Sequence, residues 1–478
     1  LITVRPHLRP DRAIKISRGE LNDFEPNVLP DEPETLPTVG QETLVPTVLP
    51  EGPESTAAAQ GPQIIIVNLP AAAIDMTVGG VEICIRSIGE VGAAESDPNL
   101  RRRDPRHRTI RPGQVVAIGG GRPLPELLFV TDRAKLRSNI GTVEADSALA
   151  AIETAGHGLV AGSSDSLLEQ CRRALRSDPG VKGVVLLGGY DVVPSFRLDV
   201  LGDALRRRLG NQVASDADEF WVWSDQAYGD SDGDSVAEYP VSRIPDGREA
   251  ATFLAALQSR GFTAQERFGV RNVARPFADS IWTNIAGTRP LNVSEQFLSR
   301  QVVPDHLQSS CHYFMLHGAD DDGREFSGEY VTGGYPVAFD VTRVPDHFSG
   351  VVFTGCCWGA LIVATKALDA GARPPQPRPA EGSIALAYLK AGALAFVGCT
   401  GSHYSGPSND PNVNYAARFH QAFWEHLPAA ELRPALALHR ARDDYGRWIA
   451  QAASRVDPLV AARRLKNFSQ FTCLGLGW

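Results

Sequence analysis

From residue 126 onward, short continuous apolar runs alternate with stretches in which apolar positions recur every three or four residues. The runs "ELLFVTD", "HGLVAG", "VKGVVLLGG", "AEYPVSRI", "NVARPFAD", "CHYFMLHG", "SGVVFTG" and "GALAFVG" read as strands. Between most of them lie helical patterns: "ADSALAAIETAG", "SDSLLEQCRRALRSD", "GREAATFLAALQSRG", "SEQFLSRQV" and "EGSIALAYLKAG". Apolar strands alternating with amphipathic helices predict an α/β fold with a mostly parallel sheet covered on both faces. In such sheets the chemistry collects at the carboxyl ends of the strands. No internal repeat of solenoid period is present.

The pattern before residue 126 is different. Residues 1–61 carry Pro, Glu, Thr and Val in segments such as "NVLPDEPETLP" and "LVPTVLPEGPES", a composition that cannot build a compact core. They read as an extended arm, a linker or a propeptide. Residues 62–125 hold strand-like runs, "QIIIVNLP" and "VEICIRSIG", separated by basic, Pro-bearing loops, and read as a small β-rich addition.

Composition narrows the function classes. The 478 residues carry a net charge of −9, which argues against nucleic-acid binding. The basic clusters Arg101–Arg103 and Arg206–Arg208 lack interleaved aromatics and read as solvated faces. No apolar run approaches the roughly 18–20 residues needed to span a bilayer. Seven cysteines, odd in number and unevenly spaced, give neither a disulfide framework nor a zinc-ligand pattern. Reduced thiols favour a cytoplasmic setting, with secretion as the alternative.

Two neighbouring strands end in residues with chemistry. "CHYFMLHG" closes in His317-Gly318, and "SGVVFTG" runs into Cys356-Cys357, 356 − 317 = 39 residues later. A histidine at one strand end and a thiol at the next place a base beside a nucleophile on one sheet edge. The backbone N–H groups of Gly318 and Cys356 are candidate oxyanion donors. Glycine after the histidine lets a substrate peptide approach the main chain.

An apolar block closing in His-Gly, followed by one closing in Gly-Cys, resembles the signature of the caspase-fold cysteine peptidases. Other segments are similar to the gingipain-like branch: "VVLLGGYDVVPSF", "SDQAYGDSDGDSVAEYPVSRIP", "EGSIALAYLKAGALAFVGCTG" and the closing "FSQFTCLGLGW". Two departures are Ser242 where Gly is usual and Leu476 where Asp is usual. The resemblance implies a caspase-like α/β/α sandwich in two side-by-side subdomains, 126–265 and a catalytic 266–478. It implies a cysteine endopeptidase acting on protein or peptide substrates, with Cys356 as nucleophile and His317 as base. It also implies a carboxylate at the end of the strand before the histidine strand, which here is Asp279. Cys399, Thr400 and Gly401 fall where one wall of the substrate pocket is built. Glu295 falls where an acidic residue reads a basic P1 side chain, which together with the overall acidity leans the expectation to Arg or Lys.

The remaining acidic segments admit several roles. Asp320, Asp321 and Asp322 follow the histidine and form an acidic rim, a calcium loop or a solvated loop. Asp230, Asp232 and Asp234 alternate as in a calcium loop, but the sixth-position Gly and twelfth-position Glu of an EF-hand are absent. Structural Ca²⁺ is therefore an expectation, and no cofactor is expected in the chemical step. Gly355-Cys356-Cys357-Trp358-Gly359 also fits a nucleophile elbow on Cys357, as in a glutamine amidotransferase. The downstream His403, His420, His426 and His439 all lack the His-x-Glu partner such an enzyme uses. A third reading is a catalytically silent binding module in a larger assembly. The Pro-rich arm favours instead an enzyme regulated by an activating partner, a ligand or proteolysis.

Overall fold

The computed structural model describes residues 116–478 apart from 407, 411–412 and 453–455, and before them the backbone of four short strands. These four form two antiparallel pairs, β1 (Ile2–Val4) with β2 (Ile14–Ile16) and β3 (Ile74–Val78) with β4 (Val81–Ile85). The chain divides into two compact units, and residues 26–106, with β3 and β4, make up the smaller. Most of the expected Pro-rich arm, the run "QIIIVNLP" and the Arg101–Arg103 cluster lie outside the described residues.

The first strands and helices of the main unit follow the sequence pattern closely. They are β5 (Leu128–Thr131), α1 (Arg133–Ile140), α2 (Thr142–Thr154), β6 (Gly158–Ala161), α3 (Leu167–Ser177) and β7 (Val184–Leu187). All four side chains of β5 and of β7 are buried, because helices cover both faces of a parallel sheet. In α3 the buried positions Leu167, Cys171 and Leu175 recur every four residues, one stripe of a helix. Asp132 starts α1 by accepting the N–H groups of Ala134 and Lys135.

An antiparallel pair, β8 (Phe196–Asp199) and β9 (Trp221–Ser224), flanks α4 (Gly202–Leu209), and β10 (Val241–Ile244) and α5 (Ala250–Leu257) follow. Next come β11 (Arg267–Arg271), α6 (Ala278–Trp282), β12 (Asn292–Val293), α7 (Pro304–Leu307) and β13 (Cys311–Met315). A hairpin of β14 (Glu325–Ser327) and β15 (Val337–Asp340) precedes β16 (Val351–Thr354), α8 (Ile384–Lys390) and β17 (Ala395–Cys399). Helices α9 (Ala417–Ala429), α10 (Pro434–Ala452) and α11 (Pro458–Gln470) lead into β18 (Phe471–Leu474).

Ten strands form one sheet in the order β12-β11-β13-β16-β17-β18-β10-β7-β5-β6. Every pairing in it is parallel except β17 with β18. Two parallel halves therefore run in opposite directions and meet at that seam. The predicted mostly parallel α/β sheet is what the chain forms. β18 belongs to both halves, antiparallel to β17 on one side and parallel to β10 on the other.

Two predicted elements are replaced. The strand expected in "NVARPFAD" is the preceding "RFGVR", whose central residues are buried. Asn272 onward leaves the sheet, Pro276 has no N–H for a ladder, and Asp279 falls in the first turn of α6. The helix expected in "SEQFLSRQV" is a turn followed by a short 3₁₀ segment, Ser299–Gln301, with Glu295 at φ 84°. A residue in the left-handed region breaks helical continuity at that point. Among the described residues no helix is long and apolar enough to cross a membrane.

Candidate active site

β13 and β16 are adjacent and parallel, with Phe314 opposite Thr354. Their carboxyl ends deliver His317-Gly318 and the Cys356-Cys357 pair to the same sheet edge. A β-carbon added to Gly318 would collide with the Cys357 carbonyl oxygen and lie 3.4 Å from Cys356 Cβ. Glycine is thus required where the histidine strand meets the cysteine turn, for want of space.

His317 is held on several sides. Its N–H donates to the Ser327 carbonyl at 2.8 Å, and the Ser327 N–H donates back at 3.0 Å, so β14 pairs with the residue itself. That pairing carries Glu329 over the imidazole, with Oε2 3.2 Å from Nε2. The Asn272 side-chain amide lies 2.7 Å from the same nitrogen and donates to Glu329 Oε2 at 3.1 Å. Asn272 is fixed in turn: its N–H donates to the Met315 carbonyl at 2.7 Å, and its Oδ1 accepts the Ala274 N–H. The Tyr335 ring meets the imidazole edge-on at 5.0 Å between centroids. Burial lowers the His317 pKa below the usual imidazole value; the hydrogen bond the imidazole donates to Glu329 opposes this and the charge of Arg275 adds to it. The neutral, proton-accepting form therefore prevails at neutral pH.

Asp279 is placed elsewhere. Its carboxylate forms a two-point pair with Arg271, at 2.8 Å to both Nε and Nη2, and is more than half exposed. The acidic partner on His317 is Glu329, which the sequence reading did not single out. Its signal lies in topology: the segment after Ser327 must pass over the histidine that Ser327 pairs with.

The two cysteines differ. Cys356 is fully buried, its Sγ is 4.0 Å from the Phe314 carbonyl, and burial pushes its thiol up to about 12. Its N–H donates to Thr354 Oγ1 at 2.9 Å, so the expected role of this amide as an oxyanion donor is already taken by a neighbouring hydroxyl. Cys357 is partly exposed, and its Sγ accepts the His403 N–H at 3.2 Å. Burial raises this thiol as well; the His403 N–H, Lys466 and Arg275 pull the other way.

Behind the turn lies a buried ionic cluster. Lys466 Nζ contacts Asp216 Oδ1 at 2.6 Å, Asp218 Oδ2 at 2.7 Å and Ser402 Oγ at 2.7 Å, all essentially without solvent exposure. Asp218 Oδ1 accepts the Trp358 indole N–H at 3.0 Å, and the Trp358 N–H donates to the Gly401 carbonyl at 2.9 Å. Trp358 sits at φ 50°, so these two bonds hold a left-handed residue beside Cys357.

The expected pocket wall is framework rather than surface. Cys399 and Thr400 are buried, and the Thr400 hydroxyl donates to the Trp223 carbonyl at 2.7 Å. Gly401 leaves room for Asp218, whose carboxylate would lie 2.9 Å from an added β-carbon. In the loop after the histidine, Asp320 pairs with Lys366 at 2.8 Å and Asp322 with Arg324, while Asp321 is exposed. Glu295 follows Ser294, whose hydroxyl accepts the Glu329 N–H at 3.3 Å.

Asp230, Asp232, Asp234 and Glu238 place one ligand atom each within 4.8 Å of one another, a donor set that fits a hard cation such as Ca²⁺. Asp230 is also paired with Arg172 at 2.9 Å and accepts the Gly233 N–H.

No family model matches the chain, and no curated protein matches it. Among solved structures it is similar in fold to the Arg-specific cysteine proteinase gingipain R, at 11% identity and a TM-score of 0.44, over 73% of this chain and 77% of that one. A second, described as the structure of a protease, matches at 12% identity and a TM-score of 0.43, over 74% and 78% respectively.

Proposed function

We propose that this chain is a cysteine endopeptidase, with His317 as general base and a thiol of the Cys356–Cys357 turn as nucleophile. The observation that carries the reading is the arrangement of His317: a neutral imidazole at a parallel strand end, with Glu329 at Nε2, Asn272 donating to that carboxylate, and Gly318 pressed against the cysteine turn. A carboxylate on one imidazole nitrogen fixes the tautomer and stabilises the imidazolium formed when the other takes a proton. The Gly318 N–H is a donor for the oxyanion.

Basic P1 side chains fit the acidic balance of the chain and Glu295 beside the Ser294–Glu329 contact. Arg275, whose charge reaches His317, Glu329 and Cys357, is the residue that would read an acidic one. Control by an activating partner or by proteolysis is part of the same proposal. Bound Ca²⁺ would be held by Asp230, Asp232, Asp234 and Glu238 and would stiffen the loop before β10, with no part in the chemistry.

The test is hydrolysis of a diverse fluorogenic peptide library by the full chain, with and without Ca²⁺, alongside His317→Ala. Turnover lost in the variant supports the peptidase reading. Turnover that survives it, or no turnover with no thiol modified by peptidyl acyloxymethyl ketones, would remove it. Cleavage after Asp in place of Arg or Lys would transfer the selectivity from Glu295 to Arg275.

A further inference from the structure

Within the peptidase reading above, we infer that Cys357, rather than Cys356, supplies the attacking sulfur. The β13–β16 ladder ends where the Gly355 N–H donates to the Phe314 carbonyl at 2.8 Å. At that end a β-carbon on Gly355 would run into the Met315 sulfur, so Met315 and Gly355 share a face. Beyond it Cys356 lies in a bend and Cys357 in the turn that follows, and it is the Cys357 backbone that a β-carbon on Gly318 would strike.

The backbone amides point the same way. A peptidase nucleophile needs its own N–H open to the oxyanion. The Cys356 N–H is donated to Thr354 Oγ1. Among the described residues, neither the Gly318 N–H nor the Cys357 N–H donates to a protein acceptor. Together with the meeting of Gly318 and the Cys357 carbonyl, this makes those two amides the matched pair of oxyanion donors.

The sulfurs differ in kind as well. Cys356 Sγ is fully buried, 4.0 Å from the Phe314 carbonyl, and its burial outweighs the hydrogen bonds of Thr354 and the Leu316 backbone that favour the thiolate. Cys357 is partly exposed; its Sγ lies 3.8 Å from the His403 carbonyl, and the closer His403 N–H, at 3.2 Å, favours the thiolate. Trp358, held in a left-handed conformation by Asp218 and Gly401, fixes the turn immediately after it.

In the reaction His317 removes the Cys357 thiol proton, the sulfur bonds to the scissile carbonyl carbon, and the C–N bond breaks as His317 passes that proton to the leaving amine. Water then attacks the thioester, releasing the acid and returning the proton to sulfur.

The deciding experiment treats the full wild-type chain with peptidyl acyloxymethyl ketones and maps the adduct by mass spectrometry, with Cys356→Ser and Cys357→Ser assayed in parallel and checked by thermal melts. Adduct on Cys357, with turnover lost at least about a thousandfold in Cys357→Ser and kept within about tenfold in Cys356→Ser, is the expected result. Adduct on Cys356 overturns the inference and leaves the peptidase reading standing. Adduct on neither, in protein that melts cooperatively, overturns both. The wild-type adduct needs no variant to fold.

Discussion

Glu329 Oε2 lies 3.2 Å from His317 Nε2, although His317 follows the end of β13 and Glu329 the end of β14, further along the chain. The contact exists because Ser327 pairs backbone to backbone with His317. It makes Glu329 a positioning residue for the base. Glu329→Gln keeps the shape but removes the charge that raises the imidazole pKa. The expected result is a fall in kcat/KM of about 10²–10³-fold. The acid limb of its pH profile, already below the ordinary imidazole value, should move to lower pH. An unchanged limb would mean that Glu329 only braces the loop.

Asp279→Ala tests the alternative carboxylate. Its side chain is more than half exposed and engaged by Arg271, so the variant should keep activity within about twofold and lose at most about 1 kcal/mol of stability. Steady-state kinetics and a urea melt check both. A loss comparable to that of Glu329→Gln would restore Asp279 to the histidine.

Lys466→Met leaves Asp216 and Asp218 as buried carboxylates without their cation. Breaking such a pair from one side costs about 3–5 kcal/mol. Because Asp218 also holds the Trp358 indole, the residual folded protein should lose turnover as well. Denaturant unfolding and activity measured on the folded fraction separate the two effects.

Acid should unfold this protein early. His312 and His403 are lowered to about 3 by burial, and His420 well below its ordinary value by burial and by His403. Each is neutral when folded and takes up a proton when unfolded below about pH 6.5, so the unfolded chain binds more protons as pH falls. Stability is therefore fully present above about 6.5 and drops below it, by about 1.4 kcal/mol per pH unit for each group and about 4 for the three together. Urea midpoints at pH 7.5, 6.5 and 5.5 measure the slope. His420→Phe should reduce it by about a third, and a flat profile would contradict the burial of these rings as neutral groups.

The sheet was legible because its strands are buried on both faces: β5, β7, β13, β16 and β17 read as unbroken apolar runs. His317, Gly318 and the cysteine pair were legible because each closes such a run. β11 was misread by a few residues because "RFGVR" is flanked by arginines, while the next segment looked more apolar than its Pro276 allows. Glu329 was invisible to periodicity, since its position follows from one bridge between Ser327 and His317. The Lys466 cluster was invisible for a related reason: its members lie 250 and 248 residues from their carboxylate partners, beyond any local pattern.

The seam at β18 bears on how the molecule comes into being. Arg243 pairs with Leu474 across 474 − 243 = 231 residues, one of the longest closures the fold makes. Contacts of such sequence separation form slowly, because loop closure is unfavourable until the strands on both sides are in place. The same late segment brings Lys466 beneath the tryptophan that fixes the cysteine turn. A chain caught before that step has a histidine and two thiols but no rigid turn to aim them. On the proposed peptidase reading, reactivity and completed folding thus arrive together, and a half-folded molecule is a poor threat to its neighbours.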